Sequence, residues 1–136
     1  MKIFVYGTLM PDYGNYRSFL LGRTESERHA TIKGKLLNIG AFPALIKGNK
    51  NVHGVLIRVK PEFREEVIKN LDALEGHPYM YKRKLRFVQV GGKRKLAWVY
   101  VWQSGKNYPE IKTGNWADVA KKTLEHAVQV IKKGGL

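Results

Sequence analysis

The chain has 136 residues, of which 43% are hydrophobic and 26% charged, as in globular proteins long enough to bury a core. It contains no cysteine, which excludes disulfides and thiolate chemistry, and no apolar run approaches the ~20 residues that cross a bilayer. The first six residues carry one basic side chain and no cleavage site of small residues, so they predict a strand and not a signal peptide. We therefore expect one cytoplasmic domain over residues 1–136, with no membrane partner.

The net charge of +14 raises the hypothesis of nucleic-acid binding. Residues 1–60 and 61–136 each carry a net +7, so no basic tail concentrates the charge. The densest basic run flanks the hairpin turn signal Gly91-Gly92 and comprises Lys82, Arg83, Lys84, Arg86, Lys93, Arg94 and Lys95. No RNA- or DNA-binding motif accompanies it. We interpret these side chains as a solvated hairpin face and expect no specific nucleic-acid partner.

The predicted elements follow one another as strand, helix, several strands, helix, hairpin and helix. Their bounds are a strand over Lys2–Tyr6, a helix over Asn15–Leu21 stopped by Gly22, extended segments over Thr31–Ile39, Gly40–Ile46 and Val52–Val59, and strands over Met80–Val90 and Lys95–Trp102. The last helix is capped by Asn115 and is predicted to bury Trp116, Ala120, Ala127 and Ile131. This order predicts an α+β fold in which a mixed sheet closes into a small barrel flanked by helices.

Between the strands, a helix is predicted to begin at Pro61, where the missing N–H of proline costs nothing, and to end at Gly76 and Pro78. Its apolar stripe consists of Phe63, Val67, Leu71 and Leu74. With about 100° per residue, Glu75 falls at the edge of that stripe, whereas Asp72 and Glu65 point further toward solvent.

Several kinds of catalytic site are absent from the sequence. It has no phosphate-binding glycine loop, no dinucleotide-binding glycine motif and no G-x-S-x-G nucleophile elbow. The four histidines, His29, His53, His77 and His126, lack metal-ligand spacing. An acid–base site that uses neither a metal nor a cofactor remains.

Glu75 is the strongest candidate for the acid–base group of such a site. A carboxylate partly withdrawn from water has a raised pKa and becomes a better base at neutral pH. The alternative is that Glu75 lies in solvent at the frayed end of its helix.

Two further features indicate ligand binding. The turn Tyr6-Gly7-Thr8-Leu9 follows the first strand, and its backbone N–H groups could converge on an anion, although such a turn can also simply end a strand. Tyr81 and Arg83 alternate onto one face with Leu85 and Phe87, which predicts a covered face with Arg83 drawn inward toward a carboxylate. The alternatives are a packed core tyrosine and an arginine at the rim.

Together these segments resemble the γ-glutamylcyclotransferase-like family, in the branch of γ-glutamylamine cyclotransferases and AIG2-like proteins. The resemblance rests on Val5-Tyr6-Gly7-Thr8-Leu9, Gly40-Ala41-Phe42-Pro43-Ala44-Leu45, Gly54-Val55-Leu56, Leu71-Asp72-Ala73-Leu74-Glu75-Gly76, Tyr81-Lys82-Arg83 and Gly114-Asn115-Trp116. It implies a small β-barrel with a cavity floored by the Tyr6–Leu9 loop, and it identifies Glu75 with the catalytic glutamate of the family.

The implied reaction is an intramolecular aminolysis that converts a γ-glutamyl compound into 5-oxoproline and a free amine. The resemblance gives Glu75 the role of general acid and base, and assigns substrate binding to Tyr6, Gly7, Thr8, Leu9, Tyr81 and Arg83. Thr8-Leu9 differs from the S-N that follows Y-G in the glutathione-pathway cyclotransferases, which favours γ-glutamylamines as substrates.

Three functions stay open from the sequence: this cyclisation, acid–base catalysis on another small amide or amine, and binding without catalysis on the same fold. The expected partner is a small-molecule substrate, with the protein a monomer or a homodimer. No metal or cofactor is expected.

Overall fold

The computed structural model describes residues 1–119. The elements that lie wholly within this range are β1 (Lys2–Val5), α1 (Gly14–Phe19), β2 (Thr24–Asn38), β3 (Pro43–Val59), α2 (Arg64–Glu75), β4 (Tyr81–Val90) and β5 (Lys93–Trp102). Residues 116–119 form a further helical turn. A 3₁₀ turn over Pro61–Phe63 leads into α2. The strands close into a barrel in the order β1-β3-β2-β4-β5, in which β1 and β5 are parallel and the other neighbours antiparallel. This confirms the predicted α+β fold with a mixed, barrel-forming sheet.

The long hairpin of β2 and β3 replaces the three shorter extended segments of the sequence prediction. Two glycines make the continuous pairing possible at its irregular point. A Cβ on Gly48 would lie 2.8 Å from the backbone of Gly34, and the register shifts between Gly34 and Lys35. Sequence reasoning treated glycine as a break, whereas here it permits close contact between two strands within one ladder.

The buried face of α2 is rotated from the predicted apolar stripe. Val67 and Leu71 are buried as expected, but Leu74 is 36% exposed. Asp72, predicted to point to solvent, instead lies against the β4–β5 hairpin, where Arg83 and Tyr100 bind its carboxylate. The prediction for Asp72 was wrong because Arg83 and Tyr100 offer it polar partners that a helical wheel cannot show. Glu75 is partly buried and lines a cavity, as expected for the edge of the buried face.

The β4–β5 hairpin turns at Gly91 and Gly92, whose φ angles of 54° and 80° confirm the predicted glycine turn. Toward this turn the predicted covered face is wrong, because Leu85 and Phe87 are 45% and 54% exposed. Helix α2 covers this hairpin face at Arg83 but not at Phe87, over which Arg94 lies at 4.2 Å instead.

The segment after β5 returns to the barrel and begins the last predicted helix. Asn115 accepts a hydrogen bond from the Ala117 N–H at 3.1 Å, and Trp116 is buried, as predicted for the cap and the first turn. Ala120, Ala127 and Ile131 lie outside the described residues. Within residues 1–119, no helix has the length and apolar character to span a bilayer.

Candidate active site

A cavity lies beside the end of β1, between the following loop, the end of α2 and the start of β4. It is lined by Phe4, Val5, Tyr6, Gly7, Thr8, Leu9, Phe42, Pro43, Glu75, Tyr81 and Tyr100. The structure therefore brings together six of the residues singled out from the sequence, and Arg83 is not among them. The sequence reasoning missed Tyr100 as a lining residue, since Tyr100 approaches the cavity only through barrel closure.

The loop Tyr6–Leu9 is held in place by its own backbone and by α1. The Met10 N–H donates to the Gly7 carbonyl at 3.0 Å, and the Tyr16 N–H donates to the Thr8 carbonyl at 3.2 Å. The Asn15 side chain donates to the Thr8 hydroxyl at 2.7 Å. The N–H groups of Gly7, Thr8 and Leu9 have no acceptor among residues 1–119. A fixed loop with free N–H groups at a cavity can receive an anion.

Gly7 is required by close packing. A Cβ at this position would lie 2.7 Å from Cγ of Pro43, which begins β3. A side chain here would push the loop away from Pro43. The glycine therefore brings the loop close to the opposite wall of the cavity.

Three tyrosines form much of the cavity wall, and each hydroxyl has a fixed acceptor. Tyr6 donates to the Tyr100 carbonyl at 2.6 Å, Tyr81 to the Pro43 carbonyl at 2.8 Å, and Tyr100 to Oδ1 of Asp72 at 2.7 Å. Burial raises the pKa of all three hydroxyls. They therefore remain protonated at neutral pH and stabilise the wall.

Glu75 provides a carboxyl group whose proton can move near neutral pH. It is the last residue of α2, because Gly76 adopts a left-handed conformation with φ 63° and ends the helix. Burial raises the pKa of Glu75 to about 7. Among residues 1–119, no hydrogen bond or ion pair occupies the carboxyl group. It is therefore free to exchange a proton with a ligand.

Arg83 lies behind this wall, where Asp72 binds it. Its Nε and Nη2 donate to the two carboxylate oxygens of Asp72 at 2.9 and 3.1 Å, and its guanidinium lies 4.6 Å from the Trp98 ring centre. The predicted inward pull toward a carboxylate is confirmed, and Asp72 is that carboxylate. Arg83 does not line the cavity, so its role in substrate binding stays a prediction. Arg83 reaches the cavity indirectly, through Asp72 and then Tyr100.

A metal site is not apparent in the part of the chain that the structure describes, where no three His, Asp or Glu side chains group suitably. The polar groups among the described side chains of the cavity are one carboxylate, three hydrogen-bonded phenols and the Thr8 hydroxyl. Their chemistry is that of proton transfer.

Residues 3–118 match the sequence pattern of the family described as "Gamma-glutamyl cyclotransferase, AIG2-like". The chain belongs to this family. The match spans both the Tyr6–Leu9 loop and Glu75, and it confirms the resemblance drawn from the motifs.

Individual members are similar over most of their length. The chain is 32% identical over 123 residues to the γ-glutamylcyclotransferase family protein ytfP of Citrobacter rodentium, covering 87% of this chain and 96% of that protein. It is 30% identical over 124 residues to the γ-glutamylaminecyclotransferase of Rattus norvegicus, covering 79% and 80%. The crystal structure of an AIG2-like protein from Mus musculus superposes with a TM-score of 0.64 and 25% identity, covering 79% of each chain.

Proposed function

We propose that this protein catalyses the cyclisation of a γ-glutamyl compound to 5-oxoproline with release of an amine. The observation that carries the proposal is the placement of Glu75, with a pKa of about 7, in one cavity with the Tyr6–Leu9 loop. The family assignment supports the same reaction class. Glu75 and the loop supply the two functions that the reaction needs, a proton acceptor and an anchor.

The anchor acts on the α-carboxylate of the substrate. The free N–H groups of Gly7, Thr8 and Leu9 would donate to it, and the packing of Gly7 on Pro43 would keep their direction fixed. Because nucleophile and electrophile belong to one molecule, the site mainly has to hold the substrate folded.

Glu75 then moves one proton. Its carboxylate takes a proton from the α-ammonium, and the freed nitrogen attacks the γ-carbonyl carbon to form the ring bond. The bond between that carbon and the leaving nitrogen breaks while Glu75 returns the proton to the leaving nitrogen. The attacking nitrogen loses a second N–H proton as the ring amide forms, and the departing amine takes it up, so the products are 5-oxoproline and the amine in its ammonium form.

The rat relative named γ-glutamylaminecyclotransferase, together with Thr8-Leu9 in place of S-N, supports γ-glutamylamines as the substrate class. The cytoplasmic location, the absence of a cofactor and the state of monomer or homodimer remain predictions from the sequence.

The direct test incubates the protein with a panel of γ-glutamylamines and γ-glutamyl amino acids and detects 5-oxoproline by mass spectrometry. We expect turnover of at least one γ-glutamylamine, with equal amounts of 5-oxoproline and free amine. Denatured protein is the blank. Binding of these compounds without any product would favour the non-catalytic alternative, and hydrolysis to glutamate would favour another amide reaction.

A further inference from the structure

The opposite mouth of the barrel carries a second cavity, lined by residues of all five strands. Side chains from five strands can line one cavity in this way because the strands of a closed barrel surround its open end. It lies where β1 and β5 begin, whereas the Glu75 cavity lies where β1 ends. The polar groups around it are Lys2, Ser26, Arg28, Arg58 and Lys95.

The strand register places these side chains on the inner face of the barrel. Lys2 pairs directly with Arg58, and Arg58 with Ser26, so their side chains share one face of the sheet. On β3 the same face continues with buried Leu56, which pairs with Arg28. The cations therefore ring the barrel opening above an apolar floor.

No carboxylate in the described part of the chain balances this positive charge. Among residues 1–119, none of the four cations forms an ion pair, although Arg23 pairs with Glu66 at 3.0 Å and Lys50 with Glu110 at 2.8 Å elsewhere. The charge of Lys2, with Arg58 and Arg28 beside it, lowers the pKa of Lys95. Like charges held together in this way repel one another, and a bound anion would relieve the repulsion.

The donors favour phosphate over other anions. Arginine presents a planar fork that binds two phosphate oxygens at once, while the Lys2 and Lys95 ammonium groups and the Ser26 hydroxyl can serve the remaining oxygens. Four positive charges suit a ligand with more than one negative charge. The cavity is a concave mouth ringed from five strands, which fits a small molecule better than an extended nucleic-acid strand.

We propose that the mouth formed by Lys2, Ser26, Arg28, Arg58 and Lys95 is a binding site for a small phosphorylated compound with two or more negative charges. The site is separate from the Glu75 cavity, so the proposal does not depend on the cyclotransferase reaction.

The test titrates the ¹⁵N-labelled full chain with sodium pyrophosphate at constant ionic strength and follows the amide chemical shifts. We expect saturable shifts at Lys2, Ser26, Arg28, Arg58 and Lys95. In parallel, about 10 mM pyrophosphate should raise the melting temperature, since it binds the folded chain. Shifts spread evenly over the basic surface, or no saturation, would overturn the proposal.

The matched variants each remove one arginine and one lysine. R58Q with K95Q should weaken pyrophosphate binding by at least about tenfold. K84Q with R86Q, in the groove between β2–β3 and β4–β5, should change it less than about twofold. If both pairs of substitutions weaken pyrophosphate binding equally, binding depends only on net charge, and the proposed site is wrong. Should R58Q with K95Q fail to fold, the shift map of the unmodified chain decides alone.

The last measurement compares pyrophosphate with a single-stranded oligonucleotide as a ligand of the same mouth. We expect pyrophosphate to compete it off the mouth, and the oligonucleotide to bind more weakly than pyrophosphate per phosphate group at physiological salt. Tight oligonucleotide binding that requires Arg58 and Lys95 would instead assign the mouth to nucleic acid and overturn the small-molecule proposal.

Discussion

The two ends of this barrel carry charged groups of opposite sign in different surroundings. At one end Glu75, the one carboxyl group among the described lining residues, lies in a cavity walled by tyrosines and apolar side chains. At the other end Lys2, Arg28, Arg58 and Lys95 converge without a counter-ion among the described residues. Both arrangements perturb a pKa, but by different causes: withdrawal from water raises that of Glu75, and neighbouring positive charge lowers that of Lys95.

The difference separates two uses of a barrel mouth. A carboxyl group whose pKa burial has raised gains and loses its proton near neutral pH, which suits proton transfer. An exposed group of cations stays charged and attracts anions over a distance. The following predictions test this division, from the largest expected effect to the smallest.

Glu75→Gln should lower kcat for the proposed cyclisation on the order of 10²–10⁴-fold. The amide keeps the size of the side chain but cannot accept the proton of the α-ammonium, so the attacking lone pair is seldom free. The measurement is 5-oxoproline formation under single-substrate kinetics.

Glu65→Gln is the matched control, because Glu65 lies exposed on the first turn of the same helix. It should leave kcat within about twofold. Normal turnover by Glu75→Gln would show that the mechanism is wrong, whatever the substrate.

Gly7→Ala should raise KM about 10- to 100-fold and lower the free energy of unfolding by about 1–3 kcal/mol, because the new Cβ meets Pro43 at 2.7 Å. Gly14→Ala is the control, since a Cβ there has no atom within 4 Å. It should leave KM unchanged. Equal effects of the two substitutions would contradict the argument from close packing.

The stability of Glu75→Gln should depend on pH in a defined direction. Near pH 4 the carboxyl is protonated in the folded and unfolded chains, so the variant and the parent are equally stable. Between pH 4.5 and about 7 the unfolded chain loses its proton first, which destabilises the parent but not the variant. Above pH 7 the variant should be more stable by about 3 kcal/mol.

Denaturant unfolding at several pH values measures this difference. A constant difference across the range would mean that the carboxyl of Glu75 is not withdrawn from water, and the contrast between the two barrel ends would then fail.

Asp72→Asn should lower the free energy of unfolding at pH 7 by about 1 kcal/mol and reduce kcat a few-fold. Partial burial acts to raise the pKa of Asp72, but hydrogen bonds from Arg83 and Tyr100 outweigh it and lower the pKa. The stability that Asp72 contributes is therefore present above its unfolded pKa and lost as pH falls through the lower folded pKa.

A thermodynamic cycle with Tyr100→Phe tests the connection to the cavity wall. The two substitutions should cost less together than separately, since they remove one shared hydrogen bond at 2.7 Å. If the effects of the two substitutions on the unfolding free energy and on kcat simply add, Asp72 does not act on the cavity wall through Tyr100.

The smallest expected effect concerns nucleic acid. Outside the cationic mouth the positive charge is spread over both halves of the chain, which gives only weak, sequence-independent association, with a Kd on the order of 10⁻⁴–10⁻⁶ M that weakens as salt rises. Fluorescence anisotropy with labelled oligonucleotides at several salt concentrations measures it. Base preference that persists at physiological salt would make the cationic mouth a recognition surface and reverse our interpretation.

Local sequence signals predicted the elements that depend on local chemistry. Gly91-Gly92 was assigned to the hairpin turn because positive φ angles need glycine, and Gly76 to the end of α2 for the same reason. Asn115 was assigned as a cap from its side-chain oxygen. The long β2–β3 ladder was not predicted, because the fit of Gly34 against Gly48 exists only once the two strands pair.

The sequence by itself determined which residue types could do the chemistry: one carboxylate after an apolar stripe, one glycine loop after the first strand, and no cysteine. Only the tertiary structure decided that Asp72 faces Arg83 and Tyr100, and that Glu75 shares a cavity with the Tyr6–Leu9 loop. It also gathered Lys2, Arg28, Arg58 and Lys95, spread over 93 positions in the chain, at one mouth. The physical reason is that hydrogen bonds and strand register join residues far apart in the sequence. The local periodicity of hydrophobic residues carries no information about such contacts.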